Sequence, residues 1–321
     1  MSDNNEQDWS NYWQGRASGE ALVGVGVEHS EELATFWQGC FDGQDSDIRV
    51  LDMACGAGSV LRHADGAGYK NLSGVDISKE AISTLETAIP NAKGIVAPVD
   101  NTGLADSSYD MVVSQFGFEY AGSSDQVLAA AGEMARLVAG DGQFAALCHI
   151  EGGGIELECS GHLAHIEAVE NTGFIDAAKA VFTAAFKVDS QPGQDTMAAY
   201  QKTVEQLGGP RGALVAWIEN NRAAGEIAAL ANHLLTGTAD MFGRRKAFAL
   251  SDITGWLDGM NGEINAYRGR MTSMKQAALS GVDAGNILSV FEKNGFKTAP
   301  PEKLYMGGED IPAAWILRAQ R

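Results

Sequence analysis

The chain has 321 residues, with 23 Lys and Arg against 42 Asp and Glu, a formal net charge of −19. So negative a field repels polyanions and argues against a nucleic-acid backbone as the partner. Hydrophobic residues make up 45%, enough for a real core, which excludes a globally disordered chain. Glycine is abundant, at 39 residues, so tight turns and close backbone approaches are used heavily.

The first residues, Met1 to Asp8, are acidic and polar, without the basic start and apolar run of a signal peptide. No apolar run is long enough to span a membrane. Cys40, Cys55, Cys148 and Cys159 are scattered, with no CxxC pair, so neither a disulfide framework nor a zinc knuckle is expected. A reduced, cytoplasmic setting is the expectation.

Residues 31–40 read as a helix opened by Ser30. Strand and helix signals then alternate. A short β-branched run falls at Ile48–Asp52, and further strand candidates fall at Leu72–Asp76, Gly94–Asp100, Tyr109–Ser114 and Gly142–Ile150. Helical stretches follow the glycine-rich turn after Asp52, and lie at Ser78–Ala88 and Ser124–Val138. This rhythm predicts parallel βαβ units in a doubly wound sheet. From Ile155 to Ser280 the chain is Ala-rich and helical, with breakers expected at Gln191-Pro192-Gly193, Gly208-Gly209-Pro210 and Gly237-Thr238. A helix over Asp283–Lys293, capped by Asn294-Gly295, and two strands, Lys303–Met306 and Ala314–Arg318, close the chain. The expected organisation is a helical cover over 1–44, a ligand-binding core over 45–150, a helical insertion over 151–281, and a helix and strand pair over 282–321 completing the core.

Three acids, Asp52, Asp76 and Asp100, recur at even spacing at the expected ends of successive strands. The carboxyl ends of a doubly wound sheet line its ligand crevice. The turn Met53-Ala54-Cys55-Gly56-Ala57-Gly58 follows the first acid, and its glycines allow close backbone approach. A dinucleotide is disfavoured. Leu61 stands where GxGxxG needs its third glycine, and a pyrophosphate would meet Asp52. A cationic ligand such as S-adenosylmethionine (SAM), with sulfonium, ammonium, ribose hydroxyls and an adenine amine, suits the acids better.

Val50–Gly58 resembles the first motif of the class I SAM-dependent methyltransferases, Gly74–Ser78 the second, and Ser107–Ser114 the fourth-strand motif. The resemblance covers about 45–150 and, more loosely, 283–321. It implies a Rossmann-like, mostly parallel seven-stranded sheet with an antiparallel last strand, and a helical lid after the fifth strand. It departs from the family at Ala54, where many members have glycine. By the resemblance, Asp52, Ala54, Gly56 and Gly58 hold the methionine part, and Asp76 holds the ribose diol. Ile77 packs on adenine, and Asp100 and Asn101 recognise its edge. Ser114, Gln115 and Phe116 border the methyl group. Tyr12, Trp13 and Arg16 cover the cofactor, Arg16 as a bidentate partner of its carboxylate.

His149 ends the fifth expected strand and is a candidate base, while Glu119 and Tyr120 follow the fourth and are candidates to orient the acceptor. His162 and His165 lie three apart on a probable helix without a third ligand at convincing spacing, so no metal is expected. Arg244-Arg245-Lys246 forms a basic island suited to a turn or to a substrate carboxylate. The Asn-Pro-Pro-Tyr motif of amino-methylating nucleic-acid enzymes is absent; the fourth strand ends in Ser114-Gln115-Phe116-Gly117. The reading is a SAM-dependent methyltransferase acting on the N, O or S atom of a small molecule, with S-adenosylhomocysteine as the spent cofactor. No nucleic-acid or membrane partner is expected, and the sequence leaves the oligomeric state open. A protein or peptide methyltransferase, a catalytically silent SAM-binding module and, more remotely, an NAD-type oxidoreductase are the alternatives.

Overall fold

A computed structural model describes residues 31–308 and 310–321. The described residues fall into two compact units, the helical stretch Ser160–Met271 and an α/β unit formed by the chain before and after it.

The α/β unit begins with α1 (Glu31–Phe41), whose Leu33, Phe36, Trp37 and Phe41 recur at helical spacing and are buried. Next come β1 (Arg49–Met53), α2 (Ser59–Gly66), β2 (Asn71–Asp76), α3 (Lys79–Ala88), β3 (Lys93–Val96) and β4 (Tyr109–Gln115). After these come α4 (Ser124–Leu137) and β5 (Val138–His149). Strands β1, β2 and β4 bury almost every residue, polar ones included, as strands of a sheet covered on both faces do. Ser78 caps α3 by accepting from the Ala81 amide at 3.2 Å.

The chain returns through α10 (Gly281–Lys293), opened by Ser280, whose hydroxyl accepts from the Asp283 amide while Asp283 accepts from the Ser280 amide. Gly295, at φ 88°, turns the chain beyond it. Strands β6 (Lys297–Thr298), β7 (Glu302–Tyr305) and β8 (Pro312–Gln320) complete an eight-stranded sheet. Its order is β3-β2-β1-β4-β5-β8-β6, with β7 also on β8. Strands β3, β2, β1, β4 and β5 pair in parallel, and β8 is antiparallel to β5, β6 and β7. The fold is therefore α/β, mostly parallel, with an antiparallel strand near the C-terminus.

Strands β6 and β7 occupy successive stretches of one edge of β8, Lys297 opposite Gln320 and Glu302 opposite Ile316. Between them lies Ala299-Pro300-Pro301. The prolines have no N–H for the ladder, so they split one edge strand in two. This is why the sheet counts eight strands where seven are expected.

The core beneath β1, β4 and β5 joins Leu51, Met53, Val112, Phe144 and Ala146 to Ala130, Met134, Ile287 and Phe291 of the helices on that face. Phe144 stacks on Phe291 at 4.2 Å between ring centres. On the other face the Trp37 indole, fully buried, donates to Gln115 Oε1 at 2.5 Å and fixes α1 to the end of β4.

The helical stretch comprises α5 (Gly154–Glu170), α6 (Phe174–Ser190), α7 (Gln194–Asn220), α8 (Gly225–Gly243) and α9 (Leu250–Gln276); α5 and α9 carry the chain in and out of it. Its core includes Phe182, Leu214, Ile227, Leu234, Ile253 and Leu257. Arg270 pairs with Glu226 at 2.7 Å, and Arg268 with Glu170. Two expected breaks do not occur. Gly208-Gly209-Pro210 lies inside α7, and Gly237-Thr238 inside α8. At Gly237 a Cβ would lie 2.7 Å from the Trp256 ring, so close helix packing, rather than chain reversal, explains that glycine. The break at Gln191-Pro192-Gly193 does separate α6 from α7. No described helix is long and apolar enough to cross a membrane, and all four cysteines are free thiols.

Pro210 removes one i→i−4 hydrogen bond from α7. Pro210→Ala is expected to raise unfolding stability by about 1–3 kcal/mol, measured as a higher midpoint in calorimetry. An unchanged midpoint would mean the helix already bends to accommodate the ring.

Candidate active site

The strand order reverses between β1 and β4, so the crevice at their carboxyl ends is the expected ligand position. Asp52 lies at that end of β1, 1% exposed, and neither carboxylate oxygen has a hydrogen-bond partner among the described residues. The β1–β2 register sets Asp52 opposite Gly74, with Asp76 closing β2. Asp76 is buried but satisfied, its two oxygens accepting from the Gly56 and Ser78 amides, each at 2.9 Å. Burial pushes the Asp52 carboxyl well above the usual carboxylate range, and the neighbouring Asp76 charge pushes it further. Burial also raises Asp76, while amides of Ser78, Gly56 and Ile77 pull it partly back.

The turn after β1 alternates its handedness. Ala54 has φ 56°, Gly56 φ 51° and Gly58 φ 84°. This winding turns the Gly56 N–H onto Asp76 and starts α2 at Gly58. A Cβ on Gly58 would fall 2.4 Å from Leu85, and one on Gly74 2.6 Å from the Cys55 sulfur. Ala54 carries a side chain in a left-handed conformation that costs L-residues about 1–2 kcal/mol.

The remaining cofactor candidates divide. Ile77 is half-buried just beyond Asp76. Asp100 does not end a strand: β3 stops at Val96, and Asp100 and Asn101 are exposed in the following turn, closed by the Asn101 amide on the Pro98 carbonyl at 3.2 Å. Pro98, which has no N–H, lies in the segment expected to continue β3. That turn is anchored next door, where Thr102 gives both its amide and its hydroxyl to Glu133, which Arg136 also holds. The Ser114 hydroxyl, expected at the methyl group, is fully buried and donates to the Met53 carbonyl at 2.7 Å, tying β4 to β1. Gln115 is taken up by Trp37. Tyr12, Trp13 and Arg16 lie outside the described residues.

Beyond β4 the chain turns sharply at Phe116, a non-glycine residue at φ 50°. Such strain persists only where the surroundings over-determine it, and it clusters at functional sites. The Phe116 amide bonds the Leu147 carbonyl of β5 at 2.8 Å. Gly117 then passes so close to Ala54 that a Cβ would sit 2.6 Å from the Ala54 methyl and 2.9 Å from its carbonyl oxygen. A 3-10 turn, Phe118–Ala121, follows. Here Glu119 is buried and meets His149 at the end of β5. Glu119 Oε1 accepts from the His149 amide at 3.0 Å and lies 2.8 Å from His149 Nδ1, while Oε2 accepts from the Gly117 amide at 2.8 Å. His149 Nε2 lies 3.3 Å from the Tyr120 hydroxyl. The Phe116 ring packs on the imidazole, 4.8 Å between centres. The structure thus brings Glu119, Tyr120 and His149 together. The close approaches at Gly74 and Gly117 were not singled out in the sequence, where no local pattern marks which glycines face a neighbour.

Other sequence candidates have structural partners. Arg244 pairs with Asp240, and Arg245 lies 3.4 Å from Asp189 and over the Phe242 ring. His162 packs on Tyr267 and His165 on Trp217, each 5.7 Å between ring centres. Among the described residues no group of three metal-ligating side chains converges.

Strand order, with its reversal between β1 and β4, makes the α/β unit Rossmann-like, and the glycine turn and the two strand-end acids lie at its ligand end. Residues 51–146, from β1 into β5, match the family described as "Methyltransferase domain". No curated protein matches the chain. Among solved structures, it is similar to a chain of the complex between the Haloferax volcanii Trm112 methyltransferase activator and its candidate methyltransferase, at 20% identity and TM-score 0.38, over 47% of this chain and 62% of that one. A SAM-dependent methyltransferase from Methanosarcina mazei matches at 23% identity and TM-score 0.32, over 33% and 55%. A sugar N-methyltransferase from Streptoalloteichus matches at 21% identity and TM-score 0.33, over 42% and 51%. The chain spans less than two thirds of each of these structures.

Two outcomes are expected for the ligand-free protein. Ala54→Gly relieves the left-handed alanine at some cost in unfolded-chain entropy, for a net gain of about 0.5–1 kcal/mol, seen in denaturant titration. The second concerns pH. Asp52 and Asp76 take up protons at higher pH in the folded state than in the unfolded chain. Between the ordinary carboxylate range and those raised values the folded state holds more protons, so stability rises as pH falls through that window. Asp52→Asn removes most of this slope and raises stability at neutral pH; a slope equal to wild type would show that Asp52 is not its source.

Proposed function

We propose that the protein is a SAM-dependent methyltransferase acting on a small-molecule acceptor. The observation that carries this reading is Asp52: a buried carboxyl with no hydrogen-bond partner among the described residues, beside a second buried carboxyl, at the ligand end of the sheet. An uncompensated buried charge is costly. A cationic ligand compensates it, whereas a diphosphate would add like charge.

The residues present fit SAM. Asp52 and the Gly56–Gly58 turn hold the methionine part, with its ammonium balancing the acid. Asp76, fixed by two amides, keeps lone pairs for the ribose hydroxyls. Ile77 lies against the adenine, and Asp100 and Asn101, on their anchored turn, recognise its edge. When bound, SAM supplies an electrophilic methyl on a sulfonium, so the protein's task is alignment, proximity and exclusion of water. The β4–β5 end does this with Phe116, Phe118 and Tyr120, all buried. The helical unit Ser160–Met271 is proposed as the acceptor-selecting part. A net charge of −19 supports a small molecule over a nucleic acid as acceptor.

Calorimetry of the full chain with SAM and with NADH tests the reading. SAM is expected to bind. Asp76→Ala and Asp52→Asn should each weaken it by about tenfold or more, roughly 1.4 kcal/mol per tenfold. Tight NADH binding without SAM binding would end it, as would unchanged SAM affinity in a folded Asp76→Ala protein.

A further inference from the structure

We propose that Glu119, His149 and Tyr120 form a proton-accepting relay, and that the acceptor therefore carries its reacting hydrogen on a hydroxyl or amine. The proposal rests on the methyl-transfer reading above and deepens it by naming the substrate class.

The geometry fixes the direction of proton movement. Glu119 Oε1 faces both the His149 amide and Nδ1, so as a carboxylate it takes a hydrogen from each. Nδ1 then carries the ring hydrogen, and Nε2 presents a lone pair. That lone pair faces the Tyr120 hydroxyl, 3.3 Å away, a looseness common for catalytic hydrogen bonds before substrate binds. All three side chains are buried, and the tyrosine is the end of the hydrogen-bonded series.

Glu119 is also held too well for a simple loop strut. Three N–H groups converge on its two oxygens: the Gly117 amide, the His149 amide and the His149 ring. The two amides alone would fix the loop. The ring contact instead orients an imidazole and stabilises the charge that forms when it accepts a proton.

The titratable neighbours of the imidazole keep their protons. Phe116 covers one side of the ring. Cys148, next to it in β5, and Cys159, from α5, are the other titratable groups close by. Burial pushes the Cys148 thiol well up, helped by the Glu119 charge, and pushes Cys159 up to about 12. Both stay neutral thiols. Burial, the Glu119 charge and Cys159 likewise hold the Tyr120 hydroxyl well above its usual range, so tyrosine passes a proton on rather than keeping one off.

In the step, the acceptor's X–H bond breaks and its proton moves to Tyr120 Oη as the tyrosine's own proton moves to His149 Nε2. A lone pair on X forms the new X–C bond to the methyl and the X–H electron pair stays on X as a lone pair, while the S–C pair returns to the sulfonium sulfur. The imidazolium is balanced by Glu119. A carboxylate or thioether acceptor has no proton to lose and would not need the relay.

Two measurements on the full chain test this. The first is nitrogen-15 NMR of labelled histidine, with and without S-adenosylhomocysteine. In the pH range where the ring is neutral, His149 is expected as the Nδ1–H tautomer, a preference lost in Glu119→Gln; an Nε2–H tautomer in the wild type overturns the proposal. The second is methyl transfer to a panel of small alcohols, phenols, amines and carboxylates. Turnover is expected on hydroxyl or amine members. Tyr120→Phe, the variant least disturbing to packing, should lose about 100-fold at neutral pH and less at high pH. Turnover confined to carboxylates, or a Tyr120→Phe pH profile superimposable on wild type, overturns it. SAM affinity by calorimetry should change less than threefold in Tyr120→Phe. Failure of SAM binding in the wild type itself would instead sink the methyl-transfer reading, leaving the tautomer result to stand by itself.

Discussion

Two carboxylates share a small volume at the ends of adjacent parallel strands, and only one of them is given hydrogen bonds. The backbone amides of Gly56 and Ser78 go to Asp76, and nothing described goes to Asp52. The pair is unfavourable without a cation, so the core on either side of it has to hold the strand ends in place. Val50, Leu51, Met53 and Val75, all fully buried, do so. The left-handed residues of the turn add to the strain, and local strain of this kind persists only when neighbouring structure over-determines it.

The turn after β4 is built on the opposite plan. Glu119 is as deeply buried as Asp52, yet both its oxygens are filled by donors. One acid is left without a hydrogen-bond partner among the described residues, and the other is satisfied by the protein and faces a histidine. The two turns meet where Gly117 crosses Ala54 with no room for a methyl group. Ser114 reinforces the crossing by bonding the Met53 carbonyl. A change in the turn after β1 is thus felt directly in the turn after β4.

Much of this was legible in sequence because it is local. Strands β1, β2 and β4 and the turn Ala54–Gly58 follow from residue type and spacing alone. Even spacing of the acids does not carry over to strand ends at Asp100, because β3 ends four residues sooner, before Pro98. Gly208-Gly209-Pro210 misled because a long helix with neighbours on its flank tolerates breakers that a free helix would not. Candidates such as Glu119, Tyr120 and His149 could be named singly, but the 2.8 Å contact between residues 119 and 149 depends on β4 and β5 lying side by side. Sequence periodicity carries no such information. The orphaned state of Asp52 is likewise a property of what does not approach it.

The divided edge strand has a bearing on how the molecule behaves in company. An uninterrupted outer strand offers a row of unpaired amides and carbonyls on which a foreign strand can dock, the usual start of sheet-to-sheet association. Here Pro300 and Pro301 interrupt that row midway and leave two short stubs. Two residues remote from the ligand end of the sheet thus shorten the row of open backbone groups that this edge presents to another strand.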